Sequence, residues 1–138
     1  MFEHCLYFNT TALARVLERE WTRAFKPFGL TPSQAFMLRA ILARPGMLQS
    51  ELARELVISR PTATRSLDGL QKLQLIDRRA TGGDGRECAL FPEAGALALH
   101  AALDAASGAV SARLKQQLEP AQFATIVGSL KQARAAVL

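Results

Sequence analysis

Apolar residues recur along most of this chain at intervals of three and four, the spacing that gathers side chains on one face of a helix. Leu6, Leu13, Val16, Leu17, Trp21 and Phe25 predict a first long helix over residues 5–26, ended by Pro27 and Gly29. Thr31-Pro32-Ser33-Gln34 then offers a hydroxyl cap, a proline in the first turn and a glutamine placed to close a capping box. The helix it starts should run to about Ala43, with Phe36, Met37, Ala40 and Ile41 turned inward, before Arg44-Pro45-Gly46 turns the chain. Towards the other end, Leu99, Leu103, Ala106, Val110 and Leu114 form one stripe of a helix over 93–118. Glu119-Pro120 separates it from a last helix carrying Phe123, Ile126, Val127, Leu130, Arg134 and Val137.

Between these long elements the period shortens and then changes. Leu52, Ala53 and Leu56 predict a short amphipathic helix; Ser59 and Pro61 then start another, with Ala63, Leu67, Leu70 and Leu73 on its inner side. Residues 75–80 and 87–91 read as extended, joined by Thr81-Gly82-Gly83-Asp84-Gly85, a loop by composition. Two short helices about a tight turn followed by a two-stranded ribbon make a winged helix-turn-helix, whose second helix enters the major groove of DNA. The fold class is therefore mainly α, with N- and C-terminal helices around a winged module. Ser59, Arg60, Pro61, Thr62, Thr64 and Arg65 stand at the front of the second helix, where hydroxyls and guanidinium groups suit base edges and phosphates. Arg86 follows the ribbon tip, where a long cation reaches a minor groove, and Asp84 is placed to orient it. An ordinary solvated helix face is the alternative reading of the same polar residues.

Charge supports this reading through its pattern and not its total. The net charge is +5, yet residues 49–91 carry seven Lys and Arg against six Asp and Glu. Arg60, Arg65 and Lys72 face only Asp68 along the second helix, and Arg78, Arg79 and Arg86 bracket the wing. A chain of 138 residues suits one compact subunit with a real core. No apolar run approaches the roughly 20 residues of a membrane span, and Met1 to Asn9 does not resemble a secretory signal, so a cytoplasmic protein with no membrane association is expected. Cys5 and Cys88 lack metal-ligand spacing and are expected as free thiols; His4 and His100 lack companions for a metal, and no cofactor is called for.

The stretch SELARELVISRPTATRSLDGLQKLQLIDRR followed by DGR resembles the DNA-binding core of the MarR-type transcription regulators, and the flanking helices have suitable lengths. The chain departs from that pattern at Leu48, where a hydroxyl usually caps the first helix, at Val57 and Gln74, where glycine is common, and at Pro92 in place of a capping hydroxyl. The terminal helices carry more apolar stripe than a small core hides; the alternatives are a larger monomeric core or a second chain, and the resemblance implies a homodimer built by those helices. Residues 1–30, 31–91 and 92–138 are accordingly read as an N-terminal dimerisation helix, the DNA-binding module and the C-terminal dimerisation helices. The resemblance also implies a pocket for a small aromatic effector, for which Trp21, Phe25, Phe28 and Phe36 are the candidates, core packing being the plain alternative. Cys5 is similar to the single N-terminal cysteine of the organic-hydroperoxide-sensing branch, which implies an oxidant as a second kind of signal.

The expected function is a dimeric regulator of transcription that binds double-stranded DNA at a near-palindromic operator, a repressor released by a small molecule or by oxidation. The alternative is a winged-helix module that meets another protein. An enzyme is not expected, because the chain has no GxGxxG, P-loop, HExxH or nucleophile elbow, and Gly82-Gly83-Asp84-Gly85 lacks a strand-to-helix context.

Overall fold

Each predicted helix forms, and the turn residues set most of their ends. The computed structural model describes residues 1–83 and 87–138. In chain order the elements are α1 (Leu6–Phe25), a single 3-10 turn (Lys26–Phe28), α2 (Pro32–Ala43), α3 (Gln49–Leu56), α4 (Arg60–Lys72), β1 (Ile76–Ala80), β2 (Cys88–Pro92), α5 (Ala94–Leu118) and α6 (Pro120–Val137). Thr31 Oγ1 accepts from the Gln34 N–H and Gln34 Oε1 accepts from the Thr31 N–H, both at 3.1 Å, so the capping box closes as its spacing predicts. Strands β1 and β2 pair antiparallel from Ile76↔Pro92 to Ala80↔Cys88. Leu48 adds a bridge to Ala89, and Leu90 exchanges backbone bonds with Gly46 and Met47, so the segment before α3 supports the wing from its other edge. Periodicity could not show this third segment, which is too short to alternate.

The core joins the winged module to the terminal helices. Phe25 of α1, Met37, Leu38 and Ile41 of α2, Leu52 of α3, Leu67 and Leu70 of α4, Leu90 of β2 and Leu103 of α5 all have no solvent exposure and form one cluster. Helix α2 is the hub, packing on α1, α3, α4, α5 and β2. Gly69 brings α4 tightly against α2: a Cβ there would lie 2.6 Å from Gln34 Nε2.

Several expected core positions differ. Leu73 is half exposed, because α4 ends at Lys72 and the chain leaves the core there. Phe36 is 39% exposed, while Ala35 and Leu38, which the predicted stripe omitted, are buried; contacts on several sides of α2 widen its buried face beyond one stripe. Of the α1 stripe only Phe25 is buried, and α6 buries none of its residues.

The departures from the family pattern keep the turn geometry at a cost in strain. Val57 sits in the left-handed region (φ 56°), with its N–H bonded to the Arg54 carbonyl and that of Ile58 bonded to Ala53. Gln74 does the same after α4 (φ 59°), its N–H bonded to Gln71 and that of Leu75 to Leu70. Both are Schellman ends built without glycine. At Leu48, which has no oxygen to cap α3, the Glu51 carboxylate accepts from the Leu48 N–H at 2.9 Å. Pro92 ends β2, and Glu93 takes the N-cap position of α5.

Candidate nucleic-acid interface

Helix α4 opens with Ser59 as its N-cap and Arg60 and Pro61 in its first turn, all three exposed. Ser59 Oγ accepts from the Thr62 N–H at 3.3 Å and donates to Thr62 Oγ1 at 2.9 Å. That pair fixes the start of the helix and leaves the Thr62 hydroxyl hydrogen free to donate. Thr64 is half-buried, and its Oγ1 accepts from Gln49 Nε2 at 3.0 Å, which ties the front of α4 to the first turn of α3. Arg65 is exposed one turn further along. The expected front face is thus presented as one surface from Ser59 to Arg65, above an inner face of Ala63, Leu67 and Leu70. Asp84 and Arg86 lie outside the described residues.

The wing is fastened to both helices. Arg78 on β1 donates to Asp68 Oδ1 and to the Thr64 carbonyl of α4, and Glu87 before β2 accepts from Ser50 Oγ at 3.1 Å and from the Ser50 N–H at 3.4 Å at the start of α3. A cleft of about 350 Å³ remains between these elements, with Gln49, Ser50, Arg60, Thr64 and Glu87 on its walls. Gln49, Ser50 and Glu87 were not read from sequence, because their bonds join residues 15 and 37 positions apart.

These contacts explain how a nearly neutral module presents positive charge. Asp68 is held by Arg78 at 2.7 Å and Asp77 by Arg79 at 3.0 Å. Glu51 and Glu87 bond the first turn of α3, and Glu55 lies 3.9 Å from Arg44. Among the described residues the carboxylates are held internally, while Arg60, Arg65 and Lys72 have no ion pair and are left for the outer side of α4.

A second cleft of about 520 Å³ lies between the DNA-binding module and α1. Ala14, Leu17, Glu18 and Trp21 of α1 form one wall, Pro32, Ser33 and Phe36 of α2 another, and Leu56 and Ile58 close it beside the turn into α4. Of the expected aromatic set, Trp21 and Phe36 are brought together here. Phe25 is instead fully buried, with its ring 6.0 Å from that of Phe36, and Phe28 packs behind it at 6.5 Å; Phe25 shares the face of Trp21 but lies one turn further along α1, where that face has passed from the cleft into the core.

Cys5 and Cys88 are free thiols. Cys5 is exposed and caps α1, its Sγ accepting from the Phe8 N–H at 3.5 Å, while Tyr7 is 77% exposed. Among the described residues no group of three or more His, Cys, Asp or Glu is placed to hold a metal ion, and no helix is long and apolar enough to cross a membrane.

This geometry is that of a winged helix-turn-helix protein with long terminal helices. Residues 28–87 match the MarR family. The members of that family are transcription regulators and not enzymes. No curated protein matches it significantly in sequence. Among solved structures it is similar to the MepR–DNA complex of S. aureus, at 18% identity and a TM-score of 0.86, over 99% of this chain and 100% of that one. It is similar too to the transcriptional repressor CouR bound to a 23-mer DNA duplex, at 23% identity and a TM-score of 0.87, over 96% and 94% of the two chains. A MarR family regulator from Listeria monocytogenes complexed with 26-mer DNA matches at 23% identity and a TM-score of 0.83, over 96% and 88%.

Proposed function

We propose that this chain is a homodimeric, DNA-binding repressor of transcription whose grip on a near-palindromic operator is released by a small molecule. The observation that carries the reading is the front of α4: Ser59, Arg60, Pro61, Thr62, Thr64 and Arg65 form one outward surface whose guanidinium groups have no ion pair among the described residues, beside a wing fastened to the same helix. Arg86, between the two strands in sequence, is the proposed minor-groove contact, with Asp84 proposed to orient it. Three structures of this fold hold DNA, one of them that of the transcriptional repressor CouR, which supports the same partner and sign here.

Two chains are required because the terminal helices leave apolar side chains uncovered. Leu6, Tyr7, Leu13 and Val16 of α1 and Val127, Leu130 and Val137 of α6 are each more than 40% exposed, a larger apolar surface than a monomer ordinarily shows to water. Pairing these helices places the two reading helices about one DNA turn, roughly 34 Å, apart. The cleft beside Trp21 is the proposed effector site, since a ligand there touches α1 and Ile58, the residue just before the α4 cap. Its volume falls within the roughly 300–1,000 Å³ of ligand pockets.

Selection of bound fragments from random duplex DNA, followed by a gel-shift titration, tests the reading. Enrichment of an inverted repeat with half-sites one turn apart is expected; no enriched sequence overturns it. Peroxide is the second candidate signal, favoured by the exposure of Cys5 and its place at a helix start. Release of DNA by peroxide in the parent and not in Cys5→Ser would assign the signal to that thiol, and equal behaviour removes it.

A further inference from the structure

The lining of the effector cleft specifies the charge of what it takes. Among the described residues on its walls seven are apolar, Ser33 is the only hydroxyl, and Glu18 is the only charged residue. Glu18 is exposed and has no ion-pair partner among the described residues, whereas its neighbour Glu20 is held by Arg113 and Arg23. The indole N–H of Trp21, the one polar group that ring could offer a ligand, is already donated to Ser107 Oγ of α5 at 3.1 Å. Trp21 therefore presents the cleft with an aromatic surface and no donor. Phe36 supplies a second ring, which already attracts a cation: the Arg39 guanidinium lies 5.0 Å from its centroid. Arg39 is not on the cleft wall and is neutralised by Asp104 at 2.8 Å, so it supplies no counter-charge to an anion in the cleft.

An apolar cleft with two aromatic rings, one carboxylate and, among the described residues, no lining cation rejects a carboxylate or phenolate and favours an organic cation, which gains both the aromatic quadrupole and the carboxylate. We infer that the ligand of this cleft is a lipophilic ammonium or amidinium compound with an aromatic or alkyl body, its cationic end at Glu18 and its body against Leu17, Trp21, Phe36 and Ile58. The inference rests on the effector-site reading above and adds the chemical class. Glu18 precedes Trp21 by three residues, so the pair shares one face of α1, a relation visible in the sequence once that face is known to border a cleft.

Trp21 is the sole tryptophan of the chain, so its fluorescence reports the cleft directly. The full-length protein is titrated with 4-phenylbutylammonium, 4-phenylbutanol and 4-phenylbutyrate, which share a body and differ in charge. The cation should bind about tenfold more tightly than the anion, the factor expected when a partly exposed ion pair and a cation–π contact act together. In Glu18→Gln that preference should largely vanish while the alcohol binds as before; a circular dichroism melt checks that the variant is folded. Equal binding of the three compounds, preference for the butyrate, or an unchanged preference in Glu18→Gln overturns the inference. So does failure of all three to bind, the result expected if the partner chain fills the cleft in the dimer. DNA binding is measured separately without any probe, so loss of the ligand class and loss of the regulator reading are told apart.

Discussion

Arg78 on β1 reaches back to α4, where its Nη2 lies 2.7 Å from Asp68 Oδ1 and 3.3 Å from the Thr64 carbonyl oxygen. Its side chain is only 18% exposed and its Nε is buried without a partner, so the guanidinium is committed to this strap and is not available to DNA. Arg78→Ala should destabilise the protein by about 1–3 kcal/mol through the lost charged hydrogen bonds and packing. Arg78→Lys, a point charge without the planar fork, should recover part of that loss. Urea denaturation followed by circular dichroism reads both, and an unmoved midpoint in Arg78→Ala would contradict the strap.

Arg65 is exposed on the reading face and has no internal partner among the described residues. Its replacement by alanine should weaken binding to the selected operator by about 1–3 kcal/mol if it reads a guanine edge, and should relax preference at one base pair per half-site. Lys72→Ala, at the far end of α4, should lower affinity for all sequences alike. Competition titrations with single-base operator variants separate the two, and parent-like binding by Arg65→Ala removes it from the interface.

Val57 is a β-branched residue in the left-handed region, and 45% exposed, so its side chain contributes little burial. Glycine there relieves roughly 1–2 kcal/mol of backbone strain and loses roughly 0.4–1 kcal/mol through a freer unfolded chain. Val57→Gly should therefore leave stability equal or raise it by up to about 1.6 kcal/mol, whereas Val57→Pro, whose ring forbids positive φ, should destabilise strongly. Thermal melts of the two variants check the turn, and a clear loss of stability in Val57→Gly would show that the strain argument fails.

Val127 and Leu130 are each 43% exposed on α6, a helix with no buried residue in the single chain. The double variant Val127→Glu with Leu130→Glu should spare the fold of each subunit and abolish the dimer. Sedimentation velocity should show the parent as a dimer and the variant as a monomer. Operator affinity should fall by more than about tenfold as the second half-site becomes a separate binding event. A monomeric parent would contradict the account of the terminal helices.

How much of this was legible beforehand follows from the range of each interaction. The helices, the capping box at Thr31, the Ser59 cap and the front face of α4 depend on neighbours within a few residues, and periodicity and capping chemistry placed them. The bridge from Leu48 to Ala89 and the bonds Gln49–Thr64, Ser50–Glu87 and Arg78–Asp68 depend on pairing across a turn or the wing, which no local pattern reports. The aromatic residues show the same limit. All four lie in or near the cleft, but how far along α1 the core covers the face shared by Trp21 and Phe25, burying the second and leaving the first at the cleft, is decided by packing on α2 and α5. The neutral charge count of the DNA-binding module hid its outward cations until the internal partners of Asp68, Asp77 and Glu87 were known.

The salt dependence of operator binding tests the central claim most directly. If Arg60, Arg65 and Lys72 of both subunits meet phosphates or base edges near them, about six contacts are made, and the logarithm of the binding constant should fall against the logarithm of salt with a slope of about −5. Fluorescence anisotropy of a labelled operator titrated across a range of sodium chloride gives that slope. A line that stays flat as salt rises would mean that α4 meets something other than DNA.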